Sequence, residues 1–222
     1  MISENKRIRA CLFDFDGVLA DTMEMNFIAW KNTFNEKGIK ITREDYFYLE
    51  GAPLQEIVEI ISKKYKLENV NFEEIINRKE EYFKRNYNFS FYPGVVEFIA
   101  SLKKSGILIA IVSAARRNRL INTTPKDFLE KFDCIVTGDE LKKGKPNPDP
   151  YLKAMEKLNV NSEECIVIEN APLGIKSAKK AKIYCIGICS TMGKEHLYEA
   201  DEIITNFQDL NSVEKIKSLL ND

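Results

Sequence analysis

The chain lacks several features that mark other classes of protein. Its five cysteines form no Cys-x-x-Cys pair, it has one histidine, and no apolar run is long enough to cross a bilayer. Thirty-three basic residues against 34 acidic ones leave a net charge of -1, so no overall field favours nucleic acid or an anionic membrane. The start is polar and has no apolar signal core. These absences predict a cytoplasmic protein that binds neither nucleic acid nor membrane.

Two common ligand motifs are also absent. No Gly-x-Gly-x-x-Gly run follows the first apolar strand, which argues against a dinucleotide site. The carboxylates at Asp14 and Asp16 are followed by Gly17 and then by apolar residues, which does not fit a calcium-binding loop. Any affinity for phosphate must therefore come from a local cluster of side chains.

Short apolar runs alternate with helical patterns along most of the chain. This alternation predicts an α/β fold with a parallel, Rossmann-like sheet. Six strands are predicted, at Ile8–Phe13, Ile107–Val112, Cys134–Thr137, Cys165–Ile168, Ile183–Ile188 and, at the sheet edge, Glu202–Thr205. Helices are predicted at Gly94–Lys104, Pro150–Leu158, Gly174–Lys180 and Asn211–Leu220.

A long segment after the first strand has no strand signal. It is rich in aromatic residues and in helical spacings such as Phe27, Trp30 and Phe34. We predict that residues 21–92 form an inserted helical domain, and that residues 1–20 and 93–222 form the Rossmann-like core that it interrupts.

Polar side chains follow the predicted strands at their carboxyl ends, where open parallel sheets bind ligands. Asp14 and Asp16 come after the first strand, Ser113 after the second, and Glu169 and Asn170 after the fourth. Lys145 belongs to a loop that opens the next helix. Carboxylates for a metal, a hydroxyl donor and a fixed cation are the parts that phosphoryl transfer needs.

Four ordered motifs resemble those of the haloacid-dehalogenase-like superfamily, in its beta-phosphoglucomutase and phosphatase branch with a helical cap. The first motif is Asp14-Phe-Asp16-Gly-Val-Leu-Ala-Asp-Thr22, and the second is Val112-Ser113. Gly144-Lys145-Pro-Asn-Pro-Asp149 matches the third motif, and Ile168-Glu169-Asn170-Ala-Pro-Leu-Gly174 matches the fourth. The match extends over nearly the whole chain. Relatives that cleave carbon–halogen bonds or phosphonates lack the second Asp of the first motif, so Asp16 argues against both activities.

The resemblance implies a role for each of these residues. Asp14 would attack phosphorus to form an aspartyl-phosphate, and Asp16 would serve as general acid and then general base. Ser113 and Lys145 would hold the phosphoryl oxygens. Mg²⁺ would bind Asp14, the backbone carbonyl of Asp16 and Asn170, with Glu169 close by.

The sequence departs from the family pattern at the metal site and in the cap. Asn170 stands where Asp is commonest, which predicts weaker Mg²⁺ binding. The mutase pattern has a His shortly before Ala-Trp, and this chain has Asn26 there. The mutase pattern also has Lys-Gly and then Arg in a cap loop, and this chain has Glu50-Gly51 and then Leu54. The missing cation favours a phosphatase of a small phosphorylated metabolite, with a phosphosugar mutase as the alternative. A non-catalytic protein that binds a phosphorylated ligand is a third possibility, supported only by Asn170.

The substrate-binding residues are less clearly marked. We predict Ala114, Arg116, Arg117 and Gly51 for this role, with the two arginines as an anion clamp beside Ser113.

Overall fold

The computed structural model describes residues 7–85 and 87–220. Its centre is a six-stranded, fully parallel sheet with the strand order β3-β2-β1-β4-β5-β6. The strands are β1 Ala10–Phe13, β2 Leu108–Val112, β3 Cys134–Val136, β4 Cys165–Glu169, β5 Tyr184–Ile188 and β6 Glu202–Ile204. All six predicted strands are present, and β6 lies at the sheet edge as predicted.

Ten α-helices surround or extend this sheet within the described residues. They are α1 Met23–Asn35, α2 Arg43–Phe47, α3 Leu54–Lys64, α4 Phe72–Arg85, α5 Val95–Lys104, α6 Arg117–Thr123, α7 Lys126–Leu129, α8 Asp149–Leu158, α9 Pro172–Lys180 and α10 Glu214–Leu220. The predicted α/β class is confirmed. The short helices α6 and α7 have no counterpart among the predicted helices. Helix α6 buries Leu120 alone among its residues and α7 spans four residues, so neither shows an apolar helical period.

The sheet is buried on both faces, as expected for parallel strands covered by crossover helices. One face packs with α5 and the C-terminal segment, and the other packs with α8 and α9. Consecutive residues of β1 alternate between the two apolar clusters, with Cys11 and Phe13 in one and Ala10 and Leu12 in the other. This burial explains why the strands are continuous apolar runs in the sequence.

Helices α1 to α4 form a separate apolar cluster, which we call the helical cap. Trp30 and Phe34 are fully buried in it, and their rings stack with centroids 5.8 Å apart. Two chain segments connect the cap to the core side by side, since Asp21 N–H donates to Ser90 O and Tyr92 N–H donates to Leu19 O. The exact limits at residues 21–92 remain a prediction.

The five cysteines are free thiols. No helix within residues 7–85 and 87–220 is long and apolar enough to cross a membrane.

Candidate active site

Asp14 and Asp16 lie just beyond the carboxyl end of the central strand β1. Both side chains line a small cavity of about 40 Å³ between the sheet and the cap, here called the inner cavity. Phe15, between them, is buried in the core. Asp14 is anchored to the next strand, because its backbone N–H donates to Ile168 O at 3.1 Å. The two carboxylates therefore lie on one side of the chain and Phe15 on the other, at the point where strand β1 ends and the turn at Gly17 begins.

The ammonium group of Lys145 contacts carboxylates at the ends of two strands, Asp14 after β1 and Glu169 at the end of β4. Its Nζ lies 2.5 Å from Asp14 Oδ1 and 2.6 Å from Glu169 Oε1, and it also donates to Val112 O at 3.1 Å. The lysine side chain is only 2% exposed. The predicted convergence of Asp14, Lys145 and Glu169 is thus present in the structure.

Burial and neighbouring charges set the protonation of this group. Burial acts to raise the pKa of Asp14 above its usual range, the neighbouring ammonium of Lys145 opposes this, and Glu169 acts in the same direction as burial. Burial alone would lower the pKa of Lys145, but Asp14 and Glu169 hold it above its usual range. Lys145 therefore remains a cation, and it is placed to attract a phosphoryl oxygen.

Glu169 has hydrogen-bond partners on both carboxylate oxygens. Oε1 accepts from Lys145 and from Tyr151 Oη at 2.9 Å, and Oε2 accepts from the backbone N–H groups of Asn170 at 3.0 Å and Ala171 at 3.2 Å. The backbone contacts lie at the start of α9, where the helix dipole favours a negative charge. This arrangement fixes Glu169 firmly, and its role as a metal ligand stays a prediction.

Asp16 is held by a second set of polar side chains. Its Oδ1 accepts from Thr22 Oγ1 at 2.5 Å, Asn26 Nδ2 at 3.1 Å and Arg119 Nη1 at 3.0 Å. Arg119 Nη2 donates to Oδ2, which completes a two-pronged ion pair. Although burial raises the pKa of Asp16, Arg119 and Thr22 outweigh it and bring the pKa to about 2.

Arg119 and Lys79 are functional candidates that the sequence interpretation missed. Lys79 is 2% exposed, donates to Asn26 Oδ1 at 2.8 Å, and lies 5.0 Å from the centroid of the Phe83 ring. Arg119 packs over the same ring at 4.8 Å. Both cations line the inner cavity with Asp14 and Asp16.

Of these two residues, only Lys79 could have been identified from the sequence pattern. Lys79 falls on the buried stripe of α4 with Ile75, Ile76 and Phe83, where a lysine breaks the apolar pattern. Arg119 lies on the short helix α6 among other polar residues, and no periodicity distinguishes it.

Asn170 meets a residue of the cap. Its Nδ2 donates to Glu50 Oε1 at 2.5 Å and to Thr191 Oγ1 at 3.0 Å. Its Oδ1 is buried and has no hydrogen-bond partner among the described residues. Burial raises the pKa of Glu50 well above its usual range. The hydrogen bond from Asn170 acts to lower this pKa, whereas the nearby carboxylates Asp14, Glu169 and Asp16 act to raise it further.

The residues at this edge of the sheet fit a site for a hard divalent cation, which prefers oxygen ligands. Among the described residues, no three His, Cys, Asp or Glu side chains form a metal-binding cluster by themselves. The unpartnered Asn170 Oδ1 is an oxygen ligand of the kind that Mg²⁺ accepts, and it lies on the strand end next to that of Asp14. Gly17 keeps the space beside it open, since a Cβ there would stand 2.1 Å from Asn170 Nδ2.

The predicted substrate-binding residues fall in two places. Gly51, Ser113 and Ala114 line the inner cavity and also a wider outer cavity of about 310 Å³, which Arg116 and Lys145 line as well. The Ser113 hydroxyl oxygen accepts from the Ala115 N–H at 3.1 Å. A cavity of this size suits a small metabolite.

The two predicted clamp arginines are not equivalent. Arg116 lines the outer cavity, while its Nη2 lies 2.7 Å from Glu73 Oε1 of the cap. Arg117 pairs with Glu140 at 2.8 Å and lies outside both cavities. The structure therefore brings Arg116 to the site and leaves Arg117 on the surface of the core.

The chain belongs to the haloacid dehalogenase-like hydrolase family, whose model matches residues 11–188. This match confirms the resemblance seen in the four motifs. Together with the relatives named next, it supports the predicted enzyme class, a phosphatase with a mutase as alternative.

The named relatives include both a phosphoglucomutase and a phosphatase. The chain is 31% identical over 193 residues to the beta-phosphoglucomutase of Bacillus subtilis (strain 168), covering 82% of this chain and 83% of that protein. It is also 31% identical over 179 residues to the phosphorylated carbohydrates phosphatase of Thermotoga maritima, covering 79% and 82%. The beta-phosphoglucomutase structure from Clostridium difficile superposes with a TM-score of 0.82 at 27% identity, covering 96% of this chain and 97% of the other.

Proposed function

We propose that the protein is a Mg²⁺-dependent phosphatase of a small phosphorylated metabolite, such as a sugar phosphate. The observation that carries this proposal is the meeting of Asp14, Asp16 and Lys145 at the end of β1, with both carboxylates lining one cavity. The named phosphatase and mutase relatives, whose alignments cover 79% and 82% of the chain, support the substrate class.

In this proposal a carboxylate oxygen of Asp14 attacks phosphorus, the bond from phosphorus to the leaving oxygen breaks, and the phosphoryl group stays on Asp14. Lys145 compensates charge on the phosphoryl oxygens, and Ser113 donates a hydrogen bond to them. Mg²⁺, held by Asp14, the Asp16 carbonyl oxygen and Asn170, would neutralise charge so that one anion can approach another.

Asp16 supplies the proton to the leaving oxygen and later takes one from the water that hydrolyses the aspartyl-phosphate. Its ion pair with Arg119 favours the ionised form of the carboxyl group. The first proton transfer therefore requires the Arg119 contact to loosen when substrate binds, so that Asp16 takes up a proton from water before it passes this proton to the leaving oxygen. The second transfer is favoured when the contact with Arg119 returns.

Hydrolysis is favoured over phosphoryl transfer between sugar positions by the cap. Glu50 and Leu54 occupy the positions at which the mutase pattern carries cations, and Leu54 lines both cavities. A mutase is the second candidate, because the side chains of Lys79 and Arg119, 2% and 7% exposed, place two cations in the inner cavity that would hold a second phosphate.

The direct test is phosphate release from a panel of sugar phosphates and other small phosphomonoesters, with and without Mg²⁺. We expect release that depends on Mg²⁺ and disappears in Asp14→Asn, and that Arg117→Met retains. Isomerisation of a sugar phosphate without net phosphate release would favour the mutase. Binding of phosphorylated ligands with neither reaction, at high Mg²⁺, would overturn both and leave a binding protein.

A further inference from the structure

We propose that Arg119 and Lys79 form a pocket for a carboxylate that the substrate carries next to its ester oxygen, so that the protein selects phosphorylated hydroxy acids among small phosphomonoesters. Arg119 comes from the core helix α6 and Lys79 from the cap helix α4, and both line the inner cavity. This inference rests on the phosphatase function proposed above, and it names the substrate class of that same site.

The first observation is the number of hydrogen-bond donors that these two side chains leave unused. A guanidinium has five N–H groups, and the described residues offer that of Arg119 only the two carboxylate oxygens of Asp16. Its Nε is buried without a partner, since Glu80 Oε2 lies 4.0 Å away. The ammonium of Lys79 has three hydrogens and meets two acceptors, Asn26 Oδ1 at 2.8 Å and Glu80 Oε1 at 3.0 Å. Buried donors without acceptors are costly, so this end of the cavity favours a ligand with acceptor oxygens.

The second observation is the charge that the reaction would leave without a partner. An arginine in a protein keeps its positive charge, and the Arg119 side chain is 7% exposed. In the function proposed above, Asp16 turns from Arg119 to the leaving oxygen, which takes the anion away from this largely buried cation. An anionic group that arrives with the substrate would keep Arg119 paired. Burial lowers the pKa of Lys79 and Glu80 opposes this, so Arg119 carries the charge argument and Lys79 adds a donor.

The third observation is the distance between these donors and the reacting atoms. Asp16 reaches the leaving oxygen across one hydrogen bond, and Arg119 Nη1 lies 3.0 Å from Asp16 Oδ1. The guanidinium is therefore about two hydrogen bonds, or roughly 6 Å at most, from the ester oxygen. A carboxylate on the carbon that bears this oxygen reaches the guanidinium. An anionic group at the far end of a sugar would instead lie in the outer cavity, which Arg116 lines.

The fourth observation is the size of the space. The inner cavity measures about 40 Å³, which is room for about three water molecules. The apolar side chains of Trp30, Leu54 and Ile57 form part of its wall. A carboxylate has three heavy atoms and a phosphate has five. The cavity therefore suits a carboxylate better than the second phosphate that a mutase would have to bind.

The test compares two substrates that differ only in this group. The pair is 2-phosphoglycerate and glycerol 2-phosphate, which share the carbon skeleton and the ester position, with a carboxylate in the first where the second has a hydroxymethyl group. We expect kcat/KM of the natural protein to be at least about 100-fold higher for 2-phosphoglycerate, because a site built to bind a polar group rejects the analogue that lacks it. This comparison needs no variant, so it does not depend on how a substitution folds.

Two variants then assign the preference to the pocket. Lys79→Met and Arg119→Lys should each reduce the ratio of the two kcat/KM values by about tenfold or more, through loss of activity on 2-phosphoglycerate. Lys84→Met is the matched control on the same helix, because Lys84 is exposed and lines neither cavity, and it should leave the ratio unchanged. A residue that only supports the fold would lower both values together and leave the ratio as it is.

Two results would overturn the proposal. Equal kcat/KM values for the two compounds in the natural protein would mean that the cavity does not recognise a carboxylate. A preference that persists in both Lys79→Met and Arg119→Lys would mean that the carboxylate binds elsewhere.

A binding measurement separates failure of this proposal from failure of the phosphatase function. Titration calorimetry of Asp14→Asn with the two compounds and Mg²⁺ measures the preference without turnover. Tighter binding of 2-phosphoglycerate that Lys79→Met removes, together with no phosphate release by the natural protein, would overturn the phosphatase and support the pocket. Phosphate release with no preference in either rate or binding would support the phosphatase and overturn the pocket.

Discussion

The Arg119 guanidinium contacts both carboxylate oxygens of Asp16, with Nη1 3.0 Å from Oδ1. The pair links the start of α6 to the turn after β1, 103 residues earlier in the chain. Arg119 is 7% exposed and Asp16 15% exposed, so water screens the interaction little. The same contact keeps the proposed proton donor ionised until substrate arrives.

Replacing Arg119 by Met should destabilise the protein strongly. Asp16 would be left largely buried without its cation, and breaking a buried pair from one side costs about 3 to 5 kcal/mol. We therefore expect the free energy of unfolding in urea to fall by about 3 kcal/mol. The matched control is Arg117→Met, since Arg117 is 46% exposed and its pair with Glu140 lies at the surface. That change should cost less than about 1 kcal/mol, and equal losses in the two variants would contradict the assignment.

Gly17→Ala should damage the site beyond the usual penalty for a positive φ. Gly38 is the control, because it has a φ of +76° and nothing lies within 4 Å of an added Cβ. Gly38→Ala should cost about 1 kcal/mol from backbone strain alone. Gly17→Ala adds a Cβ 2.1 Å from Asn170 Nδ2, so urea unfolding should show a further loss of about 2 kcal/mol. Similar losses at the two glycines would show that the Asn170 amide moves aside without cost.

The sheet and one half of the site could be predicted from the sequence for a single physical reason. Parallel strands buried on both faces are continuous apolar runs, and their carboxyl ends meet at one edge. This logic places Asp14, Ser113 and Glu169 together without knowledge of the cap. The observed strands differ from the predicted bounds by at most two residues at each end.

The other half of the site depends on contacts between residues that are far apart in the sequence. Within the core, Arg119 meets Asp16 across 103 residues, and Glu50 of the cap meets Asn170 of the core across 120, and no local pattern encodes either contact. Arg117 illustrates the same limit in reverse. Its place beside Ser113 in the sequence suggested an anion clamp, but the start of α6 turns its side chain toward Glu140.

The cap should lose stability in acid through Asp45. This carboxylate accepts from the Thr42 N–H at 2.6 Å and Tyr65 Oη at 2.7 Å, and also from Lys64 Nζ. Burial acts to raise the pKa of Asp45, but these hydrogen bonds outweigh it and hold the pKa below its usual range. A carboxyl group with a lower pKa in the folded state stabilises the protein above its unfolded pKa, near 3.9, and loses that contribution as the pH falls through the folded pKa.

Asp45→Asn should therefore lower the free energy of unfolding by about 1 to 2 kcal/mol at pH 7, the range for a lost helix cap. The difference from the natural protein should shrink as the pH is lowered from 4 toward 2, measured by urea unfolding followed by circular dichroism. Glu44→Gln is the control, because Glu44 is the exposed neighbour on the same helix. A difference that is constant with pH would mean that the Asp45 contribution is not electrostatic.

Releasing Arg116 from the cap should improve substrate binding. Arg116 lines the outer cavity, but its guanidinium pairs with Glu73, whose side chain is 60% exposed. A substrate anion that binds Arg116 must displace this carboxylate, and an exposed pair of this kind is worth about 1 kcal/mol at most. Glu73→Gln should thus lower KM by up to about fivefold with kcat unchanged, and Arg116→Met should raise KM. Glu74→Gln, at the next position and 59% exposed, should change neither constant. If Glu73→Gln leaves KM unaltered while Arg116→Met raises it, Arg116 binds substrate without giving up its cap partner.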